Sequence, residues 1–417
     1  MIKKKHRILV ISHGHPDFSL GGGEIAAYNL FKNYLNNRQV ENAWFISRKN
    51  GKYGARGVIR RHNPNEYIWE QSTNDWFMMR AENYESLTSW FSDLISALRP
   101  TIIHTHHFVH LGLEYIKVIK NINPDIKILM TLHEYLAICA NDGQMLKRNN
   151  LALCHRANFA DCCNCFPDKT PEDFWLRKHF FTTAFEQVDK FIAPSNFLRN
   201  RFVEWGIEDQ RIVTIENGHR PACKNLPRSI GKNEQRNRFG FFGQINPYKG
   251  LGSLLEAINK LDYSERKKLV LEIHGANLEF QGDEFQDEIN KLIKPLIIEG
   301  TVEWHGKYQP HELSSRMANI DWVVIPSIWW ENSPMVIQEA FSHGRPVIAS
   351  NIGGMAEKVR HLVDGYHVNV RNSREFSRVI FACATNNQLW ESLYKNISPP
   401  KSYDEIVTSH LSVINEI

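Results

Sequence analysis

Apolar residues along this chain gather in short dense runs, and between the runs they recur at three- and four-residue spacing. In the first half the runs are HRILVISHG (6–14), ENAWFISRK (41–49), TIIHTHH (101–107), KILMTLHE (127–134), KFIAPS (190–195) and RIVTIENG (211–218). Most are dense in Ile, Val and Phe, the composition of strands covered on both faces. Between several of them lie helical patterns such as GEIAAYNLFKNYLNN (23–37) and YESLTSWFSDLISALR (84–99). The alternation predicts a parallel, doubly wound sheet.

Residues 219–236, HRPACKNLPRSIGKNEQR, break that rhythm: they are polar, hold two prolines and have no period. The alternation then resumes with RFGFFGQI (238–245), KLVLEIHGA (268–276), GTVEWHGK (300–307), DWVVIPS (321–327), RPVIASNI (345–352) and YHVNV (366–370). Helical patterns GLGSLLEAINKL (250–261) and PMVIQEAFSHG (334–344) lie between them, and an amphipathic helix fills 402–417. The expected fold class is therefore α/β, with two Rossmann-like domains facing each other across a cleft. Residues 1–218 form the first domain and 219–396 the second, with 397–417 as a separate terminal helix. In open α/β sheets ligands bind beyond the carboxyl ends of the strands, so the turns there are where chemistry is sought.

Length agrees with two domains, since 417 residues exceed what one ordinary core supports. A formal net charge of +4 without a clustered basic face argues against a nucleic-acid partner. The one basic run, Lys3, Lys4, Lys5 and Arg7, reads as a solvated tail, with weak attraction to anionic headgroups as the alternative. The apolar run behind it is too short for a signal peptide and ends at Gly14 rather than at a small-residue cleavage site. No stretch reaches the roughly 18–20 apolar residues of a membrane span. A cytoplasmic protein is the resulting expectation, with peripheral contact at the inner face of the membrane as the alternative that the tail leaves open.

The strongest motif is Glu331-Asn-Ser-Pro-Met-Val-Ile-Gln-Glu339, directly behind the strand DWVVIPS. Pro334 suits the first turn of a helix, and Asn332 or Ser333 its cap. Glu331 would then sit in the loop and Glu339 within the helix. The amides of Ser333, Pro334's neighbours Met335 and Val336 would face an anion, and the two carboxylates would face sugar or ribose hydroxyls. A capped surface helix with two solvated glutamates is the blander reading. Two further turns stand beside it. Gly243 ends a strand and Lys249 opens the next helix, a backbone opening followed by a cation. Gly21, Gly22 and Gly23 precede a helix, yet form no GxGxxG with an acidic partner, which argues against a nicotinamide cofactor. A fourth strand-to-helix turn carries Gly353-Gly354.

Together these residues resemble the family-4 retaining glycosyltransferases of the GT-B fold. The resemblance rests on Glu331 and Glu339 with seven residues between them, on Gly243 through Lys249-Gly250, and on Pro346 to Gly354 with Glu357. The Gly21–Gly23 loop, His133 and Asn217-Gly218 fit the first half. It implies that Glu339 binds the nucleotide ribose and Glu331 the donor sugar, with Asn332, Ser333, Pro334, Met335 and Val336 around sugar and phosphate. Lys249, helped by Gly22 and Gly23, would neutralise the leaving diphosphate, and His133 would lie beside the transferred sugar. The terminal helix would return to the first domain. The family often has arginine after the glycine at 243; here Gln244 stands there, a hydrogen-bonding group without charge. The implied activity is transfer of a sugar, with retention, from a nucleotide-diphosphate sugar to a glycan or lipid-linked acceptor in polysaccharide biosynthesis. No Asp-x-Asp pair offers to bridge a metal, so no cofactor is expected for catalysis. A nucleotide-sugar epimerase of the same fold and a non-catalytic donor-binding scaffold, suggested by Gln244, are the alternatives.

Two clusters fall outside this reading. Cys139, Cys154, Cys162 and Cys165 lie close in sequence, and Cys162-x-x-Cys165 has metal-knuckle spacing, which makes them candidate ligands of a structural zinc, with Cys163 and His155 as spare ligands. Reduced, unliganded thiols are the alternative. His104, His106 and His107 crowd the end of one strand, where alternation sends His104 and His106 to one face and His107 to the other. Trp329 and Trp330 read as core, with sugar stacking as the alternative.

Overall fold

The computed structural model describes residues 5–19, 21–49, 57–220 and 225–417. Lys3 and Lys4 of the basic run, and part of the predicted linker, lie outside the described residues. The chain divides into two compact units, Met1–Gly218 with Lys401–Ile417, and His219–Pro400.

The first unit is built on β1 (His6–Ser12), β2 (Val40–Lys49), β3 (Ile59–Asn63), β4 (Glu66–Glu70), β7 (Ile102–Thr105), β8 (Lys127–Thr131), β9 (Lys190–Ala193) and β10 (Ile212–Thr214), with a small pair β5 (Thr73–Asp75) and β6 (Arg80–Ala81) beside them. The large sheet runs β10-β9-β8-β7-β1-β2-β4-β3. All its pairings are parallel except β3 against β4. Central β1 is flanked on both sides, with Ile8, Leu9, Val10 and Ile11 fully buried, as its unbroken apolar run requires. The β3–β4 hairpin had no counterpart in the predicted strands. Its outer strand, IRRHN, is polar and nearly all exposed, so it carries no hydrophobic signal.

The helix Tyr403–Glu416 belongs to this unit. Its Ser402–Glu405 capping box fixes the start, and Ile406, Val407, Leu411, Val413 and Ile414 join the core formed by β1 and the helix Gly22–Leu35. Its first residue, Tyr403, packs so closely on Gly218 that a Cβ there would lie 2.5 Å from the ring.

The second unit holds β11 (Arg238–Gln244), β12 (Val270–Ala276), β13 (Val302–Trp304), β14 (Trp322–Ile325), β15 (Val347–Ser350) and β16 (Gly365–Val368). They form one fully parallel sheet in the order β13-β12-β11-β14-β15-β16. In order of appearance this is 3-2-1-4-5-6, the arrangement of a dinucleotide-binding Rossmann sheet. The described part of the expected linker is packed rather than free. Arg228 and Arg236 both pair with the buried Asp321, at 2.9 and 3.2 Å, and buried Arg345 donates to the Leu226 carbonyl at 3.1 Å. Among the described residues no helix is long and apolar enough to cross a membrane.

Candidate functional site

A parallel sheet opens a crevice where neighbouring strands send their connections to opposite faces. In the second unit that point lies between β11 and β14, which pair through Phe239↔Trp322 and Phe241↔Val324. The residues beyond these two strands are those singled out by sequence. Gly243 takes a φ of 131°, and Gln244 ends β11 exposed. The turn that follows is a short 3-10 segment, Pro247–Lys249, capped by the Asn246 side chain, which accepts from the amides of Tyr248 and Lys249 at 3.0 and 3.1 Å. Lys249 thus closes this turn, and the helix starts only at Leu251.

Gly250 brings the turn onto the loop behind β14. Its φ is 75°, and a Cβ there would overlap the Pro326 carbonyl oxygen, so only glycine permits the approach. The Ile328 amide donates to the Tyr248 carbonyl at 2.9 Å and locks the two segments together. With the backbones fixed, the side chains meet. Glu331, 6% exposed, accepts at Oε1 from Lys249 Nζ at 2.6 Å, Ser327 Oγ at 2.8 Å and the Trp329 indole at 2.9 Å. Lys249 Nζ also lies 5.7 Å from the Trp329 ring centre. Trp330 is buried, whereas Trp329 is half-buried and works as a hydrogen-bond donor, a role that the choice between core and stacking did not include.

A third turn supports this loop from below. The Gly354 amide donates to the Glu331 carbonyl at 2.7 Å, and a Cβ on Gly354 would overlap the Asn332 carbonyl oxygen. The glycine pair therefore serves as a backbone seat for the Glu331–Asn332 segment. The helix itself runs Met335–Ser342, with Pro334 as its N-cap and no side-chain cap bond. This corrects the expectation that Asn332 or Ser333 caps it with Pro334 in the first turn. Ser333 Oγ, though buried, has no hydrogen-bond partner, and the amides of Met335 and Val336 head the helix without an answering cap side chain. Glu339, partly buried in that helix, has its carboxyl pushed up to about 7 by burial. Burial raises the Tyr308 phenol, and the charge of Glu339 adds to it.

In the first unit the equivalent switch lies between β1 and β7, paired through Ile11↔Thr105. Gly21 is the N-cap of the helix Gly22–Leu35, so Gly22 and Gly23 form its first turn rather than a loop. Gly23 faces His133, with a would-be Cβ only 3.5 Å from the ring. His133 Nε2 is 3.0 Å from His106 Nδ1, and the rings stack. Behind His106 come His104, 4.3 Å between ring centres, and then His410 of the terminal helix, 5.3 Å from His104. Burial and mutual repulsion hold His104 and His106 well below the ordinary histidine range; burial takes His133 and His410 to about 4. All four are neutral at pH 7. In front of His133, Glu24 is taken down to about 2. Burial alone would raise it, but the hydrogen bond and charge of His13 and the Ser19 hydroxyl outweigh that. Strand alternation does not govern His106 and His107, because β7 ends at Thr105. His107 instead lies tilted against His13 and parallel to His133, at 4.2 and 6.3 Å between ring centres. Neither this array nor His410's part in it was readable from sequence, since it depends on the terminal helix folding back.

Among the described residues no three of Cys139, Cys154, Cys162 and Cys165 bring their sulfurs within 4.8 Å of one another. Cys154 donates to the Arg156 carbonyl at 3.4 Å and Cys163 to that of Phe159 at 3.1 Å, while burial raises the Cys162 thiol and the neighbouring Cys154 and Cys165 add to it. Burial pushes the Cys139 thiol up to about 11, with the neighbouring Cys154 adding to it.

Comparison with known proteins bears on these features. Residues 20–222 match the family model described as Glycosyltransferase Family 4, and residues 224–398 the model described as Glycosyl transferases group 1. An uncharacterised glycosyltransferase of Methanocaldococcus jannaschii is 27% identical over 250 residues, 58% of this chain and 63% of that protein. A lipopolysaccharide 1,2-N-acetylglucosaminetransferase of Salmonella typhimurium is 28% identical over 188 residues, 43% of this chain and 48% of its own length. These alignments span less than two thirds of the relatives themselves. Among solved structures, sucrose-phosphate synthase of Thermosynechococcus elongatus superposes with a TM-score of 0.71 at 16% identity, covering 99% of both chains. Anabaena HepE, solved with UDP and glucose, gives 0.68 at 17% identity, covering 99% of this chain and 100% of its own. At such identities what is shared is the fold.

Proposed function

Because the chain belongs to the family-4 glycosyltransferases of the GT-B fold, we propose that it transfers a sugar from a nucleotide-diphosphate sugar to a hydroxyl of a glycan or lipid-linked acceptor, with retention and without a metal, in polysaccharide biosynthesis. The observation that carries this reading is the Lys249–Glu331 pair at the switch point of the second unit, held by two glycine-dependent backbone contacts. Support for a nucleotide-sugar donor also comes from HepE, whose structure holds UDP and glucose.

In this reading each group answers a charge or a hydroxyl. Breaking the anomeric bond puts negative charge on the departing diphosphate, and a positioned cation with aligned amides lowers that barrier most. Lys249 supplies the cation and the uncapped start of the helix Met335–Ser342 the amides, with Gln244 adding neutral hydrogen bonds. Glu331 carries three donors on one oxygen, an arrangement suited to a fixed anion that accepts sugar hydroxyls rather than to an attacking nucleophile. We therefore assign retention to front-face attack by the acceptor. Glu339 takes the ribose. Gly22 and Gly23 are assigned to the diphosphate and neutral His133 to the transferred sugar, on the family resemblance. The absence of an Asp-x-Asp pair from the sequence supports metal independence.

The test is release of nucleoside diphosphate in the presence of saccharide and lipid-linked acceptors, with the anomeric configuration of the product read by NMR. Wild-type protein should turn over in EDTA and give a product of the donor's configuration. Lys249→Met should lower kcat by roughly 100-fold or more while leaving the melting curve close to wild type, since this side chain is 31% exposed. Equal turnover in the variant, or release of diphosphate without any need for an acceptor, would remove the assignment.

A further inference from the structure

Two groups among the described residues bring three metal-ligating side chains within 4.8 Å of one another: His15, Asp17 and His62, and Glu272, Glu303 and His305. The second already holds a cation, because the Arg238 guanidinium lies 2.7 Å from Glu272 and 3.0 Å from Glu303. In the first, no lysine or arginine among the described residues is paired with Asp17.

The first group is assembled by the fold. Behind β1 the chain makes a tight turn in which the amides of Phe18 and Ser19 both donate to the His15 carbonyl at 2.9 Å, and this returns Asp17 to the His15 ring. His62 comes from β3, the polar outer strand of the sheet. Asp17 Oδ2 stands 3.4 Å from His15 Nδ1 and 2.8 Å from His62 Nε2. In a tetrahedral zinc site, bonds of about 2.0–2.1 Å put neighbouring ligand atoms roughly 3.3 Å apart, so the spacing is already near what one ion needs.

The tautomer of His15 is set from behind. Its Nε2 lies 3.2 Å from Glu66 Oε2, and His15 is fully buried. Glu66 also accepts from Lys32 at 2.6 Å, Asn63 at 2.8 Å and Tyr28 at 3.0 Å, donors that keep it ionised. An ionised carboxylate only accepts, so His15 Nε2 carries the proton and Nδ1 presents its lone pair toward Asp17 and His62. A carboxylate holding the far nitrogen of a histidine is the usual support of a metal-bound imidazole. At present that lone pair accepts the Asp17 amide at 3.1 Å and His62 Nε2 is hydrogen-bonded to Asp17 Oδ2 at 2.8 Å, two hydrogen bonds that an ion would displace.

We propose that His15, Asp17 and His62 bind one divalent transition-metal ion of the zinc class, oriented by Glu66, which ties the turn behind β1 to the edge strand β3. Two imidazoles and one carboxylate, with water completing the shell, suit this class better than calcium or magnesium, which prefer oxygen ligands alone. The proposal is independent of the donor chemistry.

The experiment is titration of the metal-free full chain, without a histidine tag, with Co²⁺, followed by displacement with Zn²⁺. The expected result is one equivalent bound, with ligand-field bands of a nitrogen and oxygen shell and no sulfur-to-cobalt charge transfer. Affinity should fall at least about tenfold in His62→Gln and in Asp17→Asn. Both positions are partly exposed, so circular dichroism and melting of the metal-free variants should match wild type. Absence of saturable binding overturns the proposal. So does a thiolate band that survives both variants and is lost in Cys162→Ser, which would place the ion at the cysteines.

Discussion

At the scale of single residues, the protonation of Glu339 separates a ribose ligand from a merely buried acid. Its carboxyl sits at about 7 because burial disfavours the charge. The sign follows: the folded chain holds this proton more tightly than the unfolded chain, whose glutamate titrates near 4.5. Glu339's contribution to stability is therefore fully present below about 4.5 and is lost as pH rises through about 7. Ribose hydroxyls donating to the carboxylate would favour its ionised form, so nucleotide binding at pH 7 should release about half a proton and strengthen between pH 6 and 8. Calorimetry in two buffers of different ionisation enthalpy reads this directly. An observed enthalpy that does not depend on the buffer would detach Glu339 from the ligand.

At the scale of elements, the turns matter more than the helices and strands they join. Gly354 supports the Glu331 loop through one hydrogen bond and a contact that leaves no room for a methyl group. Gly354→Ala should cost about 1–3 kcal/mol through overpacking, lowering the melting temperature by about 2–4 °C per kcal/mol. Because the strain falls on the backbone bearing Glu331, nucleotide-sugar affinity should fall with it; a variant with wild-type melting and binding would show that the seat has slack. The sequence made the parallel strands of both sheets legible, because buried strands such as HRILVIS and DWVVIPS are apolar without interruption. It also located Glu331, Glu339, Gly243 and Lys249, since strand-end turns keep their glycines and charges in one short stretch. It did not reveal partners that only tertiary structure supplies. Ser327 and Trp329 reach Glu331 because of a loop conformation. His410 reaches His104 because the last helix returns to the first unit. The polar edge strand β3, which brings His62 to Asp17, has no periodic pattern to read.

At the scale of the whole molecule, the chain is two α/β units whose terminal helix belongs to the first of them. The apolar residues of that helix lie in one buried cluster with β1 and the helix Gly22–Leu35, so the helix is part of the first unit's core rather than an appendage. The proposed function makes one central claim, that the second unit binds a nucleotide-sugar through Glu339 and the Lys249–Glu331 pair. The measurement that tests it most directly is isothermal calorimetry of the full chain against a panel of nucleoside diphosphates and their sugars, repeated on Glu339→Ala. The account predicts that one nucleotide is selected and that its affinity falls by an order of magnitude or more in the variant, whose fold is unchanged by circular dichroism. Binding of no member of the panel, or equal binding by wild type and Glu339→Ala, would contradict it.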